Sequence, residues 1–457
     1  MTITDTSAFK AYDIRGIVGQ NLSSELVYGA VQGYVDLFHP KTVVLGKDVR
    51  VSGPELFESA KNALVDAGVN VIDIGTISTD MMYFAVANYE YDGGLAITAS
   101  HNPKEYNGIK VVREESKPVS SDNGLKDMEQ FVLSGKILTS DTKGTITQKD
   151  ILDDYCDKIL SFLDHPLSRT YKIFANASCG MSGIALRKII ERGKLPLEVI
   201  ELNFTPDGNF PNANPNPVDD ESIKLMTEAM SKAGRVDFGI TWDADADRCV
   251  FYDEKGQYML GNYTSAVLTE YFLGKNPGDK ALTVPSVFRA VEAVTKKYKS
   301  PLIFNKAGQS FIKQRMRSED CIFGSEPSGH FYFRDFFYVD NGMIPLMVVL
   351  NLLEKQNKTL SQIYNEFTQN YFVSGEINNV VKNSQKVIHI IKDKYNGTGE
   401  LVEIDGVSFE FPDWRFNLRS SNTEPLIRLN VESNDKALLD EKIKEVLEVI
   451  ESNKELE

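Results

Sequence analysis

Four short polar segments hold the residues able to do chemistry. The first, TASHNP (98–103), is followed by NGIK (107–110), which brings a hydroxyl, an imidazole and an amine into one stretch as Ser100, His101 and Lys110. Ser100 could act as a nucleophile, with His101 or Lys110 handling a proton or a phosphate. Serine next to histidine is a weak signal, because triads are spatial arrangements. No GxSxG elbow surrounds Ser100, which argues against an ordinary esterase. The plain alternative is a strand end closed by an Asn-Pro turn.

The second segment, DADADR (243–248), places Asp243, Asp245 and Asp247 at alternate positions behind the apolar run FGITW, with Arg248 next. Three carboxylates on one loop tip repel and raise one another's pKa unless a cation is present. Hard oxygen donors at this spacing suit magnesium or calcium. A calcium EF-hand is the obvious rival, since Glu254 falls at the twelfth loop position. It fails, because the position that must be glycine is Arg248 and the flanks read as strands.

In the third segment, GSEPSGH (324–330), Glu326 and Ser328 offer an acceptor and a donor for hydroxyl groups, and His330 could shuttle a proton. In the fourth, Arg419, Ser421, Asn422 and Thr423 lie between two strand-like runs and form an oxyanion cradle or a polar hairpin turn. Near the start, YDIRG (12–16) carries Tyr12 and Arg15, the latter suited to a surface salt bridge.

The elements that must position these groups alternate. Strand patterns over 41–49, 69–75 and 94–100 enclose helical patterns over 54–67 and 80–88. The cadence recurs with strands at 171–175, 197–202 and 237–242 and helices at 183–192 and 221–232. A third round has strands at 280–284, 301–305 and 321–323 and helices at 290–297 and 310–317. Each round ends an apolar strand at one of the first three polar segments, where open α/β sheets bind ligands. The tail reads as α+β, with strands at 408–411, 415–419 and 426–432 and a helix at 436–450; 135–149 and 366–375 read as linkers. The apolar run 343–353 is a buried helix, too short for a bilayer, which needs about 20 residues.

The 457 residues suffice for several domains, and ordinary apolar and charged contents mark a globular chain. A net charge of -15 disfavours nucleic acid and anionic membranes. An anionic substrate then needs local cations, which Arg15, Lys110, Arg248 and Arg419 can supply. The N-terminus has no basic, then apolar, signal pattern. The four cysteines are scattered with no CxxC pair, so a reducing cytoplasm is expected.

In this order, AYDIRG, TASHNP with YNGIK, TPDGNFPNANPNP, DADADR, SEPSGH and WRFNLRSSNTEP resemble the motifs of the α-D-phosphohexomutase superfamily over the whole chain, most nearly those of its bacterial phosphomannomutase branch. The resemblance implies three doubly wound α/β domains (1–148, 149–252 and 253–368) and a C-terminal α+β domain (369–457) around a central cleft. It implies a phosphoryl group carried on Ser100 and Mg²⁺ held by Asp243, Asp245, Asp247 and a phosphoserine oxygen of Ser100. Arg15, His101, Lys110 and His330 match catalytic positions, and Tyr12 and Arg248 match substrate-binding ones. Glu326 and Ser328 would contact sugar hydroxyls at C3 and C4, while Arg419, Ser421, Asn422 and Thr423 would clamp the phosphate that is not reacting. The implied reaction interconverts hexose 1- and 6-phosphates through a bisphosphate, with mannose expected. The alternatives are a phosphoglucomutase, a dual-specificity mutase or a non-catalytic sugar-phosphate-binding protein. The expected partners are hexose mono- and bisphosphates, without nucleic acid or membrane, and the chain would be a monomer or homodimer.

The chain departs from the family pattern at Ala244 in place of glycine, where a methyl should be tolerated. Ala307-Gly-Gln309 replaces Thr-Gly-His, Pro327 replaces methionine, and Thr283–Ser286 lacks a basic residue that Arg289 would supply instead. All but Ala244 lie in the third α/β domain and bear on the sugar rather than on the reaction.

Overall fold

Runs rich in β-branched and aliphatic residues form the strands, and amphipathic stretches between them form the covering helices. The computed structural model describes residues 3–420 and 426–456. The described residues pack as two units, one from 3–259, 308–318 and 328–360, the other from 260–307, 319–327, 361–420 and 426–456.

The first unit holds two sheets. One runs in the order Ile14–Ile17, Tyr106–Arg113, Gly93–Ile97, Thr42–Lys47, Asn70–Thr76, Ile146–Gln148. Its last four strands are parallel, and Tyr106–Arg113 pairs antiparallel with both of its neighbours. Helix Ser24–Phe38 starts where the Ser23 hydroxyl accepts from the Leu26 N–H, and it turns Val27, Val31 and Tyr34 onto Val43, Leu45 and Ile97. The other sheet runs Tyr258–Met259, Cys249–Tyr252, Phe238–Trp242, Tyr171–Asn176, Leu197–Leu202, the last three strands parallel. Helix Ile344–Gln356 is buried from Ile344 to Leu353, as a helix apolar on every side must be.

In the second unit Lys280–Thr283 lies parallel to Leu302–Phe304 and Cys321–Ser325. A separate antiparallel sheet runs Phe372–Val373, Leu426–Ser433, Trp414–Ser420, Val407–Glu410, Glu400–Val402, with Ile377–Val380 also on Leu426–Ser433. Helices Ser384–Tyr395 and Lys436–Asn453 close its apolar face over Phe409, Phe416 and Leu429.

Lys110 lies on the interior antiparallel strand Tyr106–Arg113, to which the sequence pattern assigns no element. Three expectations change. The supposed linker 135–149 contributes the edge strand Ile146–Gln148, and the one over 366–375 contributes Phe372–Val373. The strand before Ser100 stops at Ile97, leaving 98–100 free to turn.

Candidate active site

Beyond Ile97 the chain bends sharply, and Ser100 is buried with φ +51°, a left-handed conformation uncommon for serine. Its N–H donates to Thr98 Oγ1 at 2.9 Å. Its hydroxyl donates to Asp243 Oδ2 at 3.0 Å and lies 3.2 Å from His101 Nδ1. Asp243 comes from the other sheet, directly after Phe238–Trp242. The carboxyl ends of two parallel strands thus converge on one hydroxyl, as ligand sites in α/β sheets do.

Lys110 stands opposite Ala96 in the strand register, and its buried ammonium bonds Asp245 Oδ2 at 2.7 Å and Asp247 Oδ2. Burial works against that charge, but Asp245 and Asp247 outweigh it and hold the Lys110 ammonium well above its ordinary pKa. Burial, then the charges of Asp247 and Asp245, push the Asp243 carboxyl well up. Burial also opposes the charge on Asp247, but Lys110, His330 and Arg248 hold it well below the usual range. Asp243, Asp245 and Asp247 each place a carboxylate oxygen within 4.8 Å of the others, and Asp245 Oδ1 and Asp247 Oδ1 are buried without hydrogen-bond partners. Three buried carboxylates, with Lys110 on two of them and Arg248 beside the third, fit a hard divalent cation, which would supply further positive charge. The Ala244 methyl is accommodated among Cys179 and Phe210.

Arg248 Nε donates to His330 Nε2 at 3.2 Å and lies 3.6 Å from Asp243 Oδ2. His330 Nδ1 is 3.0 Å from the Ser328 hydroxyl, and its Nε2 is 3.6 Å from Asp247 Oδ1. Burial, followed by Arg248 and Arg15, drives the His101 imidazole well below its ordinary pKa, so it is neutral. Arg15 pairs with Asp13 and donates to Asn102 Oδ1 at 2.7 Å. It is not a surface ion pair: its side chain is only 14% exposed. Tyr12 is half-buried, and its carbonyl accepts from Ser310 Oγ at 3.3 Å. The first unit therefore gathers Ser100, His101, Lys110, the three aspartates, Arg248, Ser328 and His330, with Arg15 on the Ser100 loop.

Sequence reasoning missed several supporting groups. Thr79 donates its N–H to the Asp245 carbonyl at 2.9 Å and its hydroxyl to the Asp245 carboxylate. Lys313 pairs with Asp340 at 2.9 Å, both buried, and an Asp340 oxygen lies within 4.8 Å of Asp247 and His330. Gln309, at one of the altered positions, accepts from Lys313 Nζ at 2.8 Å and from the Tyr83 hydroxyl at 3.2 Å.

In the second unit Glu326 is buried. Arg419 stands opposite Arg428 in the strand register, and both face Glu376, at 2.9 Å and 3.5 Å. Arg428 is a further cation that the sequence reading did not select. Ser421, Asn422 and Thr423 lie outside the described residues. Arg289 does not serve the Thr283–Ser286 segment: its guanidinium donates to the Phe411 carbonyl at 2.7 Å and to that of Pro412.

Profiles of one family match the chain in four blocks: phosphoglucomutase/phosphomannomutase α/β/α domain I over residues 6–134, domain II over 153–256, domain III over 260–371 and the C-terminal domain over 376–449. A phosphomannomutase of Escherichia coli is 38% identical over 457 residues, covering 98% of this chain and 100% of that protein. One from Escherichia coli strain K12 is 41% identical, over 93% and 95% of the two chains. A solved phosphoglucomutase/phosphomannomutase family protein from Burkholderia thailandensis superposes with a TM-score of 0.88 at 28% identity, over 98% of each chain. The phosphoglucomutase parafusin of Paramecium shares the fold, with a TM-score of 0.77 at 17% identity, over 100% of this chain and 97% of that one. The chain belongs to the phosphoglucomutase/phosphomannomutase family and is a phosphohexomutase, an isomerase-class mutase.

Proposed function

We propose that the protein interconverts hexose 1-phosphates and hexose 6-phosphates by way of a phosphorylated Ser100 and a bound hexose bisphosphate. The observation that carries this reading is the Ser100 hydroxyl set 3.0 Å from Asp243 within a buried triad of aspartates that also holds Lys110. A sugar hydroxyl oxygen attacks the phosphorus, the bond from phosphorus to Ser100 Oγ breaks, and the proton that the hydroxyl loses is made up by one gained at the departing Ser100 oxygen. After the bisphosphate reorients, the Ser100 oxygen takes the other phosphoryl group and the sugar oxygen regains a proton. Mg²⁺ held by Asp243, Asp245, Asp247 and phosphoserine would neutralise charge on the transferring group. Lys110, held protonated, steadies that charge from the protein side. Neutral His101 accepts and returns the proton at Ser100, and His330, set by Ser328 and Arg248, serves the sugar. Arg15 borders the loop that carries Ser100, Tyr12 contacts the substrate, and Arg419 with Ser421, Asn422 and Thr423 receives the second phosphate. Domains at 1–148, 149–252, 253–368 and 369–457 around a central cleft belong to the same proposal. So does a cytoplasmic location, which suits four buried free cysteines.

Mannose is the proposed sugar, on the strength of the phosphomannomutase relatives. If Glu326 and Ser328 contact the C3 and C4 hydroxyls, glucose passes the same test, because the two sugars differ only at C2. Galactose inverts C4 and leaves a polar group unmatched, which costs up to about 10⁴ in kcat/KM in well-built polar sites. The experiment compares kcat/KM for the 1-phosphates of mannose, glucose and galactose. Turnover of the first two with galactose far behind is the expected result. Comparable use of galactose 1-phosphate contradicts the sugar reading, and no turnover of any contradicts the function.

A further inference from the structure

Arg50 lies outside every motif used so far, yet its guanidinium is fully buried directly behind the Ser100 loop. It donates to four backbone carbonyls of that loop: Ser100 at 2.7 Å, Asn102 at 2.6 Å, Pro103 at 2.8 Å and Tyr106 at 2.9 Å. Its Nε pairs with Asp48 at 3.3 Å, and Asp48 in turn accepts from the Thr98 hydroxyl at 2.7 Å. That same Thr98 oxygen accepts the Ser100 N–H. One planar cation and one carboxylate thus grip the loop on both sides of the serine.

The other face of Arg50 is closed by TPDGNF (205–210), a segment to which the reaction assigns no role. The Phe210 ring lies 5.1 Å from the guanidinium carbon. Gly208 sits so close that a Cβ there would meet the backbone of Val49, Arg50 and Val51. Glycine is the residue that lets this cover seat.

We infer that Arg50, clamped between Asp48 and the 205–210 segment, is a positioning residue that sets the Ser100 oxygen for phosphoryl transfer. The inference rests on Ser100 being the phosphoryl carrier. Two physical reasons support it. Ser100 occupies a left-handed conformation that serine alone disfavours, so the surroundings must hold it there. The four carbonyls, whose negative ends would repel a nearby phosphate, are instead turned onto a cation, leaving the loop preset before charge develops. Lysine cannot replace this: its ammonium keeps the charge but lacks the planar fork that reaches four acceptors.

The test uses the full-length protein as Arg50→Lys and, separately, Gly208→Ala. Circular dichroism checks folding, kcat and KM are measured with mannose 1-phosphate, and Ser100 phosphorylation is timed after mixing with glucose 1,6-bisphosphate. A displacement of about 1 Å at the nucleophile costs on the order of 10²-fold. Folded Arg50→Lys should therefore lose about that factor in kcat and in phosphorylation rate, with KM within about threefold of the parent. Gly208→Ala, which leaves the guanidinium in place and disturbs its cover, should show a smaller loss with the same split. Folded Arg50→Lys at parental kcat overturns the inference, as does a loss confined to KM. Should Arg50→Lys fail to fold, Gly208→Ala decides alone, and parental phosphorylation kinetics there overturn it. Failure of the underlying reading is visible beforehand, as a parent protein that never carries phosphate on Ser100.

Discussion

Within the acidic triad each carboxylate has a different environment. Asp247 is held ionised chiefly by Lys110, whereas Asp243 is pushed toward protonation by burial and by the charges of Asp247 and Asp245. A divalent cation would reverse the balance at Asp243, because it would add positive charge to that of Arg248, 3.6 Å away. Asp245 already gives one oxygen to Lys110 and Thr79, and its Oδ1 has no hydrogen-bond partner. Asp245→Asn removes one anionic ligand while nearly keeping the shape. It should weaken Mg²⁺ binding and cut kcat by about two to three orders of magnitude. Exhaustive chelation should abolish activity, and added Mg²⁺ should restore it. Titration calorimetry with Mg²⁺ and steady-state rates read both effects, and full activity in EDTA contradicts a catalytic metal role for this loop. The triad was legible in the sequence because its spacing is local. Arg50 and the Lys313–Asp340 pair were not: Arg50 spends its donors on backbone carbonyls, and Lys313 and Asp340 meet only through folding.

The elements that bear these side chains are joined at a buried node. Asp80, at the start of helix Thr79–Asn88, accepts from the hydroxyls of Ser78 and Tyr155 and from the Asn341 amide. Burial pushes its carboxyl up to about 7. Asn341 Oδ1 in turn accepts from the N–H groups of Met343 at 2.8 Å and Ile344 at 2.7 Å, capping helix Ile344–Gln356. Thr79, held beside this node, steadies Asp245. Asn341→Ala strips a cap and leaves buried groups unsatisfied, which should cost about 2–3 kcal/mol. Urea unfolding should show a lower midpoint, and an unchanged midpoint contradicts the assigned role of the node. Most strands and helices agree with their sequence patterns to within a few residues, because period and turn residues mark them. The sequence pattern assigns no element to Tyr106–Arg113, because Asn107 and Gly108 are poor strand formers, yet it is a strand. A Cβ at Gly108 would run into the Ile14 carbonyl, so glycine serves close strand packing there.

Across the whole molecule the net charge is -15, yet the groups around Ser100 include Arg15, Arg50, Lys110 and Arg248. Cations gathered inside an acidic protein are what binding an anionic phosphate ester requires. No helix among the described residues is long and apolar enough to cross a membrane. The family was legible because six motifs recur in order. The 421–423 part of the proposed phosphate cradle lies outside the described residues, which hold Arg419 and, opposite it, Arg428. The central claim is that Ser100 carries the phosphoryl group that turns over. The most direct measurement is intact and peptide mass spectrometry of the protein after incubation with glucose 1,6-bisphosphate and then with excess mannose 1-phosphate, with Ser100→Ala alongside. The account predicts one phosphoryl group on the Ser100 peptide after the first step, its transfer to the sugar in the second, and neither label nor normal turnover in the folded variant. A phosphate on another residue, a label that never leaves, or near-normal turnover by Ser100→Ala would contradict it.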